Sequence, residues 1–147
     1  MSDNYESLRL RNQLCYPIYL CSKELIRRYT PLLDKLNLTY TQYIVMMYFW
    51  EKRESNLKEL GETLLLDPST LTPLIKKLEA KGYLTRERSS RDERNLVIRV
   101  TEAGDRLQEA ARDVPGAIRG CIGLSPEEEE TLGALIYKVL MNVERME

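Results

Sequence analysis

The chain has 147 residues, 43% of them hydrophobic and 31% charged, with a net charge of −1; that suits one globular domain and excludes a disordered chain. It contains no histidine, which excludes serine-hydrolase triads, imidazole acid–base catalysis and most zinc sites, so a binding protein without metal or cofactor is expected rather than an enzyme. The longest apolar stretch, around residues 44–50, is too short to span a bilayer, and the first residues lack a signal-peptide pattern, so a cytoplasmic chain with no membrane partner is expected.

Apolar periodicity predicts a first helix over about Glu6–Leu36, with Leu10, Leu14, Ile18, Cys21 and Leu25 on one stripe. Leu8, Cys15, Tyr19, Ser22 and Ile26 form a second stripe beside it, so more than one neighbour should cover this helix. Pro17 should bend or loosen it. Thr39-Tyr40-Thr41-Gln42 is a capping-box pattern opening a helix to about Trp50. A short helix follows at about Leu57–Leu64. Asp67-Pro68-Ser69-Thr70 then supplies an N-cap with proline at the first helical position, and Gly82 stops that helix after Lys81.

Beyond Gly82 the period changes. Residues 83–88 and 96–101 read as two strands around the polar run 89–95, a hairpin with a long tip. Helical pattern resumes after Thr101 and runs towards Val114. Gly116 to Gly123 reads as a mobile connection. Ser125-Pro126-Glu127-Glu128 caps a last helix with Leu132, Leu135, Ile136, Val139, Leu140 and Val143 on one face.

Two short helices followed by a basic hairpin form the order of a winged helix-turn-helix. The expected fold is therefore mainly α with a small β-hairpin wing, built into an α-helical homodimer. Residues 37–101 would form the DNA-binding lobe of a single domain. Residues 1–36 and 102–147 would be dimerisation helices, because their apolar faces need a second chain and a two-fold pair supplies one. Two reading helices would then face successive turns of double-stranded DNA.

Charge supports this. From Lys76 to Arg99 there are eight basic and four acidic residues, so this segment is +4 and the remainder −5. Such a local basic patch on an acidic body suits phosphate contact. The helix from Asp67 to Lys81 offers Ser69, Thr70 and Thr72 in its early turns to base edges, and Lys76 and Lys77 to phosphates. Arg86, Arg88, Arg91 and Arg94 surround the hairpin tip, where an arginine can enter a narrow minor groove.

The run Asp92-Glu93-Arg94-Asn95-Leu96-Val97-Ile98-Arg99-Val100-Thr101-Glu102-Ala103-Gly104 resembles the wing signature of the MarR family. Leu71-Thr72-Pro73-Leu74-Ile75-Lys76-Lys77-Leu78-Glu79, with Gly82-Tyr83-Leu84, is similar to that family's recognition helix and wing entry. The resemblance implies a homodimer that binds pseudopalindromic operators and usually represses, with Asp92 orienting the wing and Arg94 reaching DNA.

Asn12-Gln13-Leu14-Cys15, Tyr19, Tyr29, Pro31-Leu32-Leu33-Asp34-Lys35-Leu36, Thr39-Tyr40-Thr41-Gln42-Tyr43 and Asp113-Val114-Pro115-Gly116 are similar to the OhrR branch, which senses organic hydroperoxide. The resemblance implies that Cys15, held by Tyr19 and Tyr29 with Tyr40 as an extra wall, is oxidised to sulfenic acid. Cys121 resembles the resolving thiol of a two-cysteine subgroup that closes an intersubunit disulfide; without it, a low-molecular-weight thiol would cap Cys15.

The residues themselves fit a sensor. A thiolate needs hydrogen-bond donors or positive charge; Tyr19 lies one turn after Cys15 and Arg11 one turn before, and the chain has nine Tyr but one Phe. Cys21, on the core stripe, reads as a buried structural thiol. Three other readings compete: a MarR-type repressor released by a small aromatic ligand, a thiol peroxidase-like enzyme, and a structural helical dimer. The first leaves Cys15 incidental. The second lacks a thioredoxin-like pattern, and the third leaves the arginine-rich hairpin unexplained.

Overall fold

Helix α2 (Tyr40–Lys52) is apolar almost all round, and a helix of that kind belongs inside. In the computed structural model, which describes residues 5–88 and 96–146, Val45, Met46 and Phe49 of α2 are fully buried. Leu33 of helix α1 (Cys15–Asp34) packs into the same cluster. So do Leu60 of α3 (Leu57–Leu64) and Leu71, Ile75 and Leu78 of α4 (Pro68–Ala80). Each such side chain contributes about 1.5–3 kcal/mol by leaving water.

Helices α2, α3 and α4 start where a side chain can satisfy free N–H groups. The capping box of α2 is complete: the Gln42 amide N–H donates to Thr39 Oγ1 at 3.2 Å, and the Thr39 N–H donates to Gln42 Oε1 at 3.1 Å. Asn56 and Asp67 cap α3 and α4 by accepting the Glu59 and Thr70 N–H groups, without the reciprocal bond. At the other end of α4, the Tyr83 N–H donates to the Leu78 carbonyl and the Gly82 N–H to the Glu79 carbonyl. That Schellman pair needs the left-handed backbone Gly82 supplies at φ 82°.

Strands β2 (Leu84–Arg88) and β3 (Leu96–Val100) pair antiparallel with Leu84 opposite Val100 and Arg88 opposite Leu96. A third strand, β1 (Glu54–Ser55), adds to the far edge of β3, giving the order β1-β3-β2. Leu84 and Ile98 point into the core. Helix α5 (Glu102–Ala110) is capped by Thr101, whose hydroxyl also donates to the Gly82 carbonyl at 2.5 Å. Gly104 makes this junction possible: a Cβ there would lie 2.3 Å from the Tyr83 carbonyl oxygen. The Trp50 indole N–H donates to the Gly104 carbonyl at 2.8 Å.

By contacts the chain divides into residues 1–114 and 115–147. Helix α6 (Val114–Ile122) crosses that boundary and α7 (Pro126–Glu144) follows. Within the second unit, Arg119 pairs with Glu129 at 3.2 Å, and a Ser125–Glu128 capping box opens α7. Among the described residues no helix is long and apolar enough to cross a membrane.

Three expectations are corrected. The first helix begins at Cys15, not near Glu6; two 3₁₀ turns, Glu6–Leu8 and Leu10–Asn12, precede it. The Asn12 and Gln13 side chains fold back onto the carbonyls of Glu6, Ser7 and Arg9 and hold those turns. Pro17 therefore sits in the first turn, where its missing N–H costs nothing, and it does not break the helix. The segment from Gly116 to Gly123 is not a loose connection, because residues through Ile122 are helical. Val114 and Ile118, one turn apart and buried, outweigh the helix-weakening glycines.

Candidate DNA interface and thiol switch

Helices α3 and α4, joined by the tight turn at 65–67, form the helix-turn-helix, and β2 and β3 form the wing beside it. Along α4, Ser69, Thr70, Lys76 and Lys77 are exposed and Thr72 is half-buried. Ser69 Oγ donates to Asp67 Oδ1 at 2.5 Å. Hydrogen bonds from the Ser69 hydroxyl and the Thr70 N–H hold the Asp67 carboxyl below the usual carboxylate range. Pro73, inside α4, has no N–H to give back, so the Ser69 carbonyl loses its usual helical partner.

The wing arginines separate into different situations. Arg88, last in β2, is exposed. Arg86 is not presented in that way: its guanidinium makes two bonds to the Glu79 carboxylate, at 2.9 and 3.1 Å, and clamps β2 to α4. Those bonds lower the Glu79 carboxyl and raise the Arg86 guanidinium. Arg99 spans the sheet, bonding Glu54 of β1 at 2.7 Å and Glu87 of β2 at 3.0 Å. The expected contacts at Arg91, Asp92 and Arg94 lie outside the described residues.

Cys15 is exposed and is the first residue of α1. The N–H groups of that first turn have no helical carbonyl to bond. Tyr19 follows one turn later and is 62% exposed. Arg11 is not one helical turn before Cys15; it lies in a 3₁₀ turn and pairs with Glu6 at 2.9 Å. Cys21 is exposed rather than buried, and Cys121, also exposed, lies in the last turn of α6.

Tyr29 and Tyr40 pack as tilted rings with centroids 4.9 Å apart, and Tyr43 joins them at 5.8 Å from Tyr29. Burial, and then the neighbouring hydroxyls, push Tyr29 and Tyr43 above the ordinary tyrosine value, so both remain neutral O–H donors. The buried Tyr43 is absent from the residues expected at the sensor; its spacing of three from Tyr40, which places both on one face of α2, is the signal that points to it.

Cys15 and this cluster are not brought together within one chain. Tyr29 lies fourteen residues after Cys15 on one helix, which at 1.5 Å per residue is about 21 Å along the axis. Exposed apolar side chains surround the cysteine end, including Leu14, Ile18 and Tyr19. Another such face lies on α7, where Leu132, Leu135, Ile136 and Val143 are all exposed.

Comparison with known proteins agrees with this architecture. Residues 27–110 match the family model described as transcriptional regulator SarA/Rot. The chain is 43% identical to the organic hydroperoxide resistance transcriptional regulator of Bacillus subtilis, over 95% of both chains. It is 36% identical to reduced AbfR bound to DNA, with a TM-score of 0.77 over 94% of this chain and 96% of that one. AbfR is a protein of Staphylococcus epidermidis. The disulfide-formed structure of AbfR matches at a TM-score of 0.65 and 36% identity, over 92% of this chain and 95% of that one. The chain therefore belongs to the SarA/Rot family of transcriptional regulators, with a MarR-type winged-helix fold.

Proposed function

We propose that this protein is a homodimeric, operator-binding repressor that releases DNA when an organic hydroperoxide oxidises Cys15. The observation that carries the reading is the exposed thiol at the first residue of α1. The similarity to a hydroperoxide resistance regulator supports it. Residues 37–101 read DNA, while residues 1–36 and 102–147 pair the chains through the exposed faces of α1 and α7. Such a regulator works where the DNA is, in the cytoplasm.

The thiolate attacks the terminal peroxide oxygen, the O–O bond breaks, and the alkoxide takes a proton; the products are Cys15 sulfenic acid and an alcohol. A second thiol, Cys121 of the partner or a low-molecular-weight thiol, then displaces water from the sulfenic acid and forms a disulfide. The protein reacts once per thiol and is not a turnover catalyst. Tyr29 and Tyr40 serve Cys15 across the dimer, since Tyr29 stands about 21 Å from it along α1 and Tyr40 packs against Tyr29. Oxidation disturbs that pocket, moves α1, and re-angles the two reading lobes so that Ser69, Thr70, Lys76, Lys77, Arg88 and the wing tip at Arg94 lose register with the operator.

Fluorescence anisotropy with a duplex selected for binding to the reduced protein tests the reading. One equivalent of cumene hydroperoxide should release wild type and leave Cys15→Ser bound. Equal release of Cys15→Ser would sink the sensor. A non-reducing gel of Cys121→Ser then distinguishes protein disulfide from a small-thiol cap.

A further inference from the structure

Lys81 occupies the corner where the recognition helix ends and the wing begins, as the C-cap residue of α4 immediately before Gly82. Its ammonium does not face solvent alone. It donates to the backbone carbonyl of Asn37, just after α1, and to Oε1 of Gln42 in the first turn of α2 at 3.0 Å. Gln42 is buried, and the same oxygen accepts the Thr39 N–H of the capping box. Asn37 holds a left-handed backbone at φ 54°, so its carbonyl direction is set by a tight turn. One amine therefore ties three segments: the end of α1, the start of α2 and the end of α4.

The placement matters because the same two segments carry the tyrosines. Tyr29 lies in α1, and Tyr40 and Tyr43 flank Gln42 at the start of α2. The surrounding links leave little slack. The Gly82 and Tyr83 amides are fixed to the carbonyls of Glu79 and Leu78, and Arg86 is clamped to Glu79. A shift at the α1–α2 corner thus pulls on an ammonium whose partners cannot be lost without stranding a partly buried charge. Burial already holds the Lys81 amine below its ordinary value.

We propose that Lys81 is a positioning residue that couples the tyrosine-bearing α1–α2 corner to the recognition helix, so that oxidation at the sensor changes the aim of α4. The inference rests on the peroxide reading above. It assigns Lys81 no direct contact with DNA, although it belongs by sequence to the basic patch.

The test compares full-length wild type, Lys81→Met and Lys81→Arg on the duplex selected with wild type, before and after one equivalent of cumene hydroperoxide. The quantity read is the ratio of oxidised to reduced Kd. Lys81→Arg should keep the wild-type ratio. Lys81→Met should keep its reduced-state Kd within about threefold while its ratio falls about tenfold or more, within the usual range of coupling between sites. The salt dependence of the reduced complex should be unchanged; a log–log slope lowered by about one would make Lys81 a phosphate contact and overturn the proposal. An unchanged ratio in Lys81→Met beside a large wild-type ratio overturns it too, leaving the sensor intact. A wild-type ratio near one removes the sensor and this inference together. If Lys81→Met gives no cooperative melt, the ratio is read on Lys81→Ala, which has no side-chain donor; a fallen ratio there supports the coupling and an unchanged one overturns it.

Discussion

Residues 5–114 and residues 115–146 solve the problem of apolar surface differently. The first region encloses Phe49, Met46, Leu60, Leu71, Ile75 and Leu78 within one chain and leaves apolar side chains exposed mainly at its start, around Leu14, Ile18 and Tyr19. The second buries Ile118 but leaves Leu132, Leu135, Ile136, Val139, Leu140, Met141 and Val143 of α7 exposed. A lobe that holds DNA-contacting groups in register is served by its own rigid core. A pairing element needs the reverse, an apolar face kept for another copy. Stability of the lobe and assembly of the pair should therefore respond to different substitutions.

The largest expected effect lies in the lobe. Phe49→Ala should cost about 3–5 kcal/mol of unfolding free energy in urea titration, as a large-to-small change at a sealed site does. A cost below about 1 kcal/mol would mean the lobe is not self-sufficient. The complementary change, Leu135→Glu with Ile136→Glu, should lower the mass in light scattering from two chains to one. Operator affinity should fall about a hundredfold or more, since two tethered half-site contacts become one. A two-chain mass in that variant would place the pairing face elsewhere. Lys77→Ala should leave both properties alone, weaken DNA binding across sequences, and reduce the log–log salt slope by about one.

A subtler probe is pH. The folded Asp67 carboxyl sits below its ordinary value through its bonds to Ser69 and Thr70. Its stabilising contribution is present above the ordinary carboxylate value and is lost as pH falls through the lowered one. Tyr29 and Tyr43 are raised in the fold, mainly by burial. Their contribution is complete below 10.0 and is lost as pH rises through the raised values. Thermal melts of Asp67→Ala should lose part of the acid-side slope alone, Glu79 keeping its share. Melts of Tyr43→Phe should lose part of the alkaline slope alone, and crossed results would break the assignment.

Much of the lobe is legible in the sequence because its signals are local. The Thr39 and Asp67 caps, Gly82 and the alternation at 96–100 bound α2, α4 and the wing within two residues or so of where they lie. What the sequence hides depends on distant partners. Strand β1 is two residues long, too short to show a period, and exists because Glu54 and Ser55 lie opposite Arg99 and Ile98. Periodicity starts α1 too early because Asn12 and Gln13 hold their turns through side-chain bonds that an apolar pattern does not register. Arg86 reads as a DNA contact because composition shows a charge and not its partner Glu79. The roles of Cys15, Tyr19, Tyr29 and Tyr40 rest on motif likeness and the chemistry of thiols; that one helix separates Cys15 from Tyr29 and Tyr40 is a lesson of geometry.

The length of α1 has a consequence for supply. If Cys15 is served only by tyrosines of another copy, a newly made chain carries two half-equipped sensors and no whole one. Competence to notice the oxidant then arrives at the moment of assembly, together with competence to hold the operator. Dilution towards single chains silences both at one threshold. Genes under such control would open when the regulator becomes scarce, with no oxidant present, so low abundance and chemical alarm would lead to the same output.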